Sequence, residues 1–210
     1  MKADFLDDIL SQRSKVSVLR CLFRSGEELS GREIARRTGL SPKMAHDTLK
    51  ALLPEGVVSL KVVPPVHLYS IKRGNWIVEE LLRGLFKRES SMLDDISKEI
   101  SNHVPKFVIS IILFGSVARG ESNSKSDIDI VVVVDKEISK TRIIALFEHK
   151  NKMIERKFNR RLSNIFYTIS EFREKHLKKL PLIREILKTG WVIYGKLITE
   201  VLNVSKTDSR

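Results

Sequence analysis

Two apolar strings standing close together in the chain constrain its fold more than any other feature. Phe107-Val-Ile-Ser-Ile-Ile-Leu-Phe114 and Ile128-Asp-Ile-Val-Val-Val-Val134 are rich in β-branched residues and too short for free-standing helices. They predict two strands buried on both faces. The first string runs straight into Gly115-Ser116-Val-Ala-Arg119-Gly120, and a polar loop, Glu121–Lys125, leads through Ser126 to the second. Asp127 and Asp129 open that second strand two residues apart. At that spacing both carboxylates share one face, with Cα atoms roughly 6.5–7 Å apart. Gly115 lets the chain turn sharply and lets an anion approach the backbone. Ser116 offers a hydroxyl and, at the start of a helix, amide N–H groups that favour an anion. Two Mg²⁺ ions shared by the aspartates would neutralise a triphosphate and activate an attacking hydroxyl for in-line displacement.

The bulk properties narrow the class further. With 210 residues the chain makes one large domain or two small ones, and 42% apolar with 30% charged residues describes a folded protein rather than a disordered one. Neither apolar string approaches the roughly 20 residues of a membrane span. The opening Met1–Asp8 is acidic and helix-like, without the basic start and apolar centre of a signal peptide. A single cysteine, Cys21, excludes an internal disulfide framework and a Cys-based zinc site, and its apolar neighbours Val18, Leu19, Leu22 and Phe23 mark it as buried filler. These features predict a cytoplasmic protein with no membrane partner. The net charge of +12 is unevenly placed: residues 1–103 hold 17 Lys+Arg against 14 Asp+Glu, whereas residues 104–210 hold 21 against 12. Such a field favours a polyanion, whether nucleic acid or nucleotide, although a solvated basic surface is the plain alternative.

The first third of the chain punctuates like a small helical domain. Ser14–Ser25 has helical apolar spacing and stops at Gly26. Ser30 with Glu33 reads as a capping box for a second helix, and Thr38-Gly39 as a turn. Ser41-Pro42 then starts a third helix reaching about Leu53, with Ala45, Leu49 and Leu52 inward. Val57–Val63 and His67–Ile71 predict two strands joined through Pro64-Pro65. This order resembles the winged helix-turn-helix family over roughly residues 10–73, carried by Leu29-Ser-Gly-Arg-Glu-Ile-Ala-Arg-Arg-Thr-Gly-Leu-Ser-Pro-Lys-Met-Ala-His-Asp-Thr-Leu-Lys-Ala-Leu-Leu and Gly56-Val-Val. The resemblance implies DNA binding, with Lys43 and Lys50 of the third helix on phosphates and Met44 and His46 at base edges. Asp47 on the same face would repel phosphate, and the wing is poorly charged. Winged helices also serve as protein-contact or dimerisation modules, so that reading stays open, as does a homodimer.

From Trp76 to about His103 helical spacing continues, bent at Gly84 and Ser90-Ser91. Residues 75–91 are expected as a helical connector between a winged-helix domain at 1–74 and a second domain at 92–210. In that second domain the Gly-Ser, Arg-Gly and Asp-x-Asp pattern resembles the DNA polymerase β-type nucleotidyltransferase superfamily. It is similar above all to the minimal, kanamycin-nucleotidyltransferase-like branch. The ending Pro181-Leu-Ile-Arg-Glu-Ile-Leu-Lys-Thr-Gly190-Trp-Val-Ile-Tyr194-Gly195 agrees, so the resemblance spans about residues 92–198. It implies an α/β domain with a short mixed sheet that moves a nucleoside monophosphate from an NTP to an acceptor hydroxyl. In that reading Asp127 and Asp129 are catalytic and hold Mg²⁺, two ions in the NTP complex, while Gly115, Ser116 and Arg119 make the nucleotide site. Arg119 is expected to act by supporting the Gly-Ser turn.

One departure bears on activity. The family has a third carboxylate on the next strand, here within Arg161-Leu-Ser-Asn-Ile-Phe-Tyr-Thr168, and counting back from Glu171-Phe172 places it at Ser163. That carboxylate helps hold one metal and takes the hydroxyl proton. Asp135 and Glu137 lie beyond the strand and are too far along to replace it. The basic run His149–Arg161, which holds Lys150, Lys152, Arg156, Lys157, Arg160 and Arg161, suits a polyanionic acceptor or a solvated helix face. Two further readings therefore stand beside the transferase with a nucleic-acid or protein acceptor. One is a DNA-binding regulator whose second domain binds nucleotide with weak or no turnover. The other, implied by the family alone, is an antitoxin of a HEPN-type toxin.

Overall fold

The computed structural model describes residues 4–119 and 126–203. Gly120 and the polar loop 121–125 lie outside them. The chain divides into two compact units between Ser91 and Met92. Among the described residues, no helix is long and apolar enough to cross a membrane.

The first unit runs α1 (Phe5–Leu10), α2 (Arg13–Ser25), β1 (Leu29–Ser30), α3 (Gly31–Thr38), α4 (Pro42–Leu52), β2 (Val58–Val63) and β3 (Val66–Ile71). A π-helical stretch, Ile77–Leu82, then continues into α5 (Arg83–Ser90). Gly26 ends α2 in the left-handed conformation at φ +68°, its N–H donating to Leu22 O at 3.1 Å. Ser41 caps α4 by accepting from the Met44 N–H at 3.2 Å, with Pro42 filling the first helical position. The Ser30 cap is only half the expected box. Ser30 accepts from the Glu33 N–H at 3.2 Å. The Glu33 carboxylate turns outward to Arg36 and Arg37 instead, and these ion pairs depress its pKa to about 2.

The three strands form an antiparallel sheet in the order β1-β3-β2 that shares a core with α2, α3 and α4: a winged helix-turn-helix. The short β1 adds a third strand that the sequence did not announce. Val18, Leu19, Leu22, Ile34, Leu49, Leu52 and Tyr69 fill the core. Val78, Leu82 and Phe86 join them, so the stretch expected as a connector packs into the first unit. Spacing of four residues puts all three on one helical stripe.

The second unit runs α6 (Met92–Ser101), β4 (Val108–Phe114), α7 (Gly115–Ala118), β5 (Ile128–Val134), α8 (Glu137–Phe158), β6 (Leu162–Thr168), α9 (Ile169–Leu177), α10 (Pro181–Thr189), β7 (Trp191–Gly195) and α11 (Ile198–Asn203). Its sheet has the order β6-β5-β4-β7. The β5–β6 pair is parallel and the other pairs antiparallel, which makes the mixed sheet. Ile111, Leu113, Ile130, Val132 and Val134 pack with Ile96, Ile100, Ile143 and Phe147 of α6 and α8. Ile112, Phe114, Val131 and Val133 pack with Phe172, Ile183, Ile186 and Val201 of α9, α10 and α11. Both faces are covered, which is why β4 and β5 read as unbroken apolar runs rather than alternating ones.

Candidate functional site

The structure brings Gly115 and Asp129 together at one end of the central strands. Phe114, the last residue of β4, pairs with Asp129 of β5 across the antiparallel ladder. The chain then turns at Gly115, φ +76°, into α7, which carries Ser116. The Asp129 carboxylate fills the space beside the Gly115 α-carbon. A Cβ added there would press on Oδ2 and stand 3.2 Å from Cγ. Both the left-handed backbone and this close approach require glycine.

Asp127, exposed, immediately precedes β5, and its charge acts on Asp129, which is half-buried. Ser163 of β6 is the register partner of Asp129 in the parallel ladder, and its hydroxyl donates to the Asp129 carboxylate. The position of the expected third carboxylate is thus beside Asp129, and it holds a hydroxyl. Two side chains set that register. Asn151 of α8 accepts from the Leu162 N–H at 3.0 Å and donates to its carbonyl at 3.4 Å, while Arg160 donates to the Ser126 carbonyl at 3.0 Å.

Burial raises the Asp129 pKa above the ordinary aspartate range. The Ser163 hydrogen bond opposes that shift, the charges of Asp127 and Glu185 add to it, and Arg119 opposes it. A carboxyl with a raised folded pKa contributes stability at low pH that is lost as pH rises through the folded value. At neutral pH the ionised Asp129 therefore costs the metal-free fold. Asp129→Asn is expected to melt above wild type at pH 7 without Mg²⁺, with the difference shrinking on acidification. Equal melting temperatures across that range, followed by circular dichroism, would contradict the charge arrangement.

Glu185 is the residue that sequence reasoning missed. It lies on α10, and its Oε1 meets Arg119 Nη1 at 2.7 Å. Arg119 also caps α7, its N–H donating to Gly115 O at 3.2 Å. The Arg119–Glu185 pair thereby ties the Gly-Ser turn to α10. Nothing in the sequence singles out Glu185, because its place depends on how α10 docks.

The basic run 149–161 is largely engaged within the fold. Lys150 is buried, its Nζ donating to the Asn102 and Glu99 carbonyls at 2.7 and 3.1 Å, where it closes the C-terminus of α6. Burial lowers its pKa. Lys157 pairs with Glu99 at 2.5 Å and Arg161 with Glu155 at 2.9 Å. The solvated or structural reading fits these three side chains better than an acceptor-binding face.

Among the described residues there is no cluster of three or more His, Cys, Asp or Glu able to hold a metal. Two carboxylates at the start of a strand, the second beside a glycine that admits close approach, fit Mg²⁺ that takes its remaining ligands from substrate phosphates and water. They do not make a dedicated all-protein cage.

In the first unit, Lys43, Met44, His46 and Lys50 are all exposed on α4, and so is Asp47. Lys61 of the wing pairs with Glu28 at 3.1 Å. The wing tip is apolar, with Val62, Val63 and Val66 exposed.

Residues 93–191 match a family model described as a nucleotidyltransferase domain. No curated protein matches the chain. Several solved structures resemble parts of it. HlyU from Vibrio cholerae is 19% identical, with 43% of this chain and 89% of that one covered at a TM-score of 0.35. A homodimeric winged helix-turn-helix DNA-binding domain from Mycobacterium bovis, described as a possible ArsR-family transcriptional regulator, is 22% identical, with 49% and 89% covered at 0.35. A toxin–antitoxin with AMP-PNP is 18% identical, with 52% and 77% covered at 0.34.

Proposed function

We propose that the second unit, whose residues 93–191 match a nucleotidyltransferase family model, transfers a nucleoside monophosphate from an NTP to an acceptor hydroxyl. The observation that carries this reading is the Asp129 carboxylate seated against Gly115, beside Asp127 and the Gly-Ser turn. Bound Mg²⁺ would supply charge neutralisation of the triphosphate and a more acidic acceptor hydroxyl. Asp127 and Asp129 hold it, and Gly115 and Ser116 receive the phosphates. Arg119, fixed by Glu185, keeps the turn in place. The acceptor oxygen bonds to the α-phosphorus as its hydroxyl proton passes to solvent water, the bond from that phosphorus to the bridging α–β oxygen breaks, and pyrophosphate leaves with the electron pair. Nucleic-acid, protein and small-molecule hydroxyls are all candidate acceptors.

The position of the label tests this chemistry. Label in the α-phosphate of the NTP is expected to pass to an acceptor, with none transferred from the γ-position. Transfer from the γ-position alone would mean a kinase and overturn the reading.

Ser163 is not a base at neutral pH, so transfer is expected to be slow. A positioned general base is worth about 10²–10⁴-fold in rate. Ser163→Asp, which restores the carboxylate beside Asp129, is expected to recover about tenfold of that. An unchanged or lower rate under saturating NTP would place the proton acceptor elsewhere.

The first unit is assigned to duplex DNA through the exposed face of α4, the position a winged helix presents to a major groove. Each phosphate contact adds about 0.9 to the slope of log K against log salt. Lys43→Ala with Lys50→Ala should therefore flatten the slope by about 2 in a salt titration against DNA from upstream of the gene. An unaltered slope would remove these lysines from the interface. The regulator reading, in which the second unit binds nucleotide without turnover, is distinguished by Mg²⁺·NTP binding with no labelled product. The antitoxin and homodimer readings rest on family resemblance, and co-expression with a HEPN-type protein and sedimentation test them directly.

A further inference from the structure

We propose that the first unit carries a second anion site, a pocket between α2 and α5 that takes a nucleoside monophosphate without a metal. It does not use Asp127 or Asp129, so it stands or falls separately from the transferase reading. The pocket is a cavity of about 320 Å³ walled by Arg20, Arg24, Arg83, Lys87, Phe23 and Phe86, with no carboxylate in its lining. Phe23 of α2 and Phe86 of α5 stack at 4.9 Å between ring centroids and 28° between planes, and so join the two helices at the pocket.

Two of the cations are held in fixed orientation. Arg20 donates through Nε and Nη2 to Glu89 at 2.6 and 2.7 Å. Arg83 donates through the same two atoms to Glu79 at 2.6 and 3.0 Å. Each fork leaves its Nη1 hydrogens unused among the described residues, on a guanidinium that has already lost its freedom. Arg24 and Lys87 have no acidic partner among the described residues and are exposed. The four cations less the two carboxylates leave two positive charges at one cavity. Arg24 and Lys87 each stand in a last helical turn, where the helix dipole favours a cation. That accounts for either residue alone. It does not account for four basic side chains converging on one hollow.

A phosphate monoester carries close to two negative charges at pH 7 and matches this surplus. The organic part has room next door. A second cavity of about 670 Å³ shares Phe23 and Arg83 with the first. Leu22 and Ile71 give it an apolar side, and Ser59, Ser70 and Glu28 offer hydroxyl and carboxylate partners. Both volumes lie in the range of small-molecule sites, and an apolar wall with a few polar groups suits a nucleoside better than a bare sugar.

The test uses full-length Asp127→Asn/Asp129→Asn protein in EDTA, so that the metal-dependent site is silent, and titrates AMP by calorimetry. One AMP per chain is expected, with ribose 5-phosphate and inorganic phosphate weaker by tenfold or more. Arg24→Ala with Lys87→Ala should weaken AMP at least tenfold. No saturable AMP binding, or binding indifferent to that double substitution, would overturn the proposal. Ribose 5-phosphate binding as tightly as AMP would overturn the nucleoside assignment. If Arg24→Ala/Lys87→Ala changes only DNA affinity, the cations serve a nucleic-acid backbone and the small-molecule site is wrong.

Discussion

Gly115→Ala is expected to cut nucleotide transfer by about 100-fold, the loss that a displacement of roughly 1 Å at a reacting centre produces. Two independent costs meet at this residue. Its φ of +76° lies in the left-handed region, where an L side chain costs about 1–2 kcal/mol. The added methyl would also press on Asp129 Oδ2 and stand 3.2 Å from Cγ, so the carboxylate must move or the turn must open. Asp129 has little freedom to yield, since it is held in register with Phe114 on one side and Ser163 on the other. The loss should appear as weaker Mg²⁺ dependence and a lower kcat together, with a modest fall in unfolding temperature. A variant that melts lower but transfers at the wild-type rate would show that the Gly115–Asp129 approach matters only for folding.

Much of this arrangement was readable because local chemistry determines it. Ser41-Pro42 caps α4 wherever the helix goes, and the apolar strings must be strands covered on both faces. Counting along the third strand singled out Ser163, and the parallel register sets that residue beside Asp129. The parts that were not readable depend on distant packing. Glu185 reaches Arg119 across 66 positions of chain, and only the docking of α10 decides that. Lys150 looks like one more surface cation in a basic run. Its burial follows from the end of α6, whose carbonyls need a donor. Val78, Leu82 and Phe86 form an ordinary helical stripe, and periodicity does not say which core a stripe joins. Glu33 carries the expected capping spacing, yet two nearby arginines compete more strongly for its carboxylate.

On the proposed reading, the Gly115 turn and the Asp127/Asp129 pair would receive phosphates and metal, while Ser163 leaves a neutral hydroxyl at the position of the base. Such a site binds Mg²⁺·NTP more readily than it turns it over, which is why the slow step should respond to Ser163→Asp.

Removal of the aspartate pair has the largest expected effect. Asp127→Asn/Asp129→Asn keeps the shape of both side chains and removes both charges proposed to hold the metal. Transfer should fall by about three orders of magnitude, equivalent to roughly 4 kcal/mol of lost transition-state stabilisation. The direct measurement is single-turnover incorporation of α-phosphate label from an NTP, with Mg²⁺, into a panel of nucleic-acid, protein and small-molecule hydroxyl acceptors. Wild type should label at least one acceptor class while the double variant labels none above background. Equal labelling by both, or none by either across the whole panel, would contradict the proposal that this aspartate pair drives nucleotide transfer.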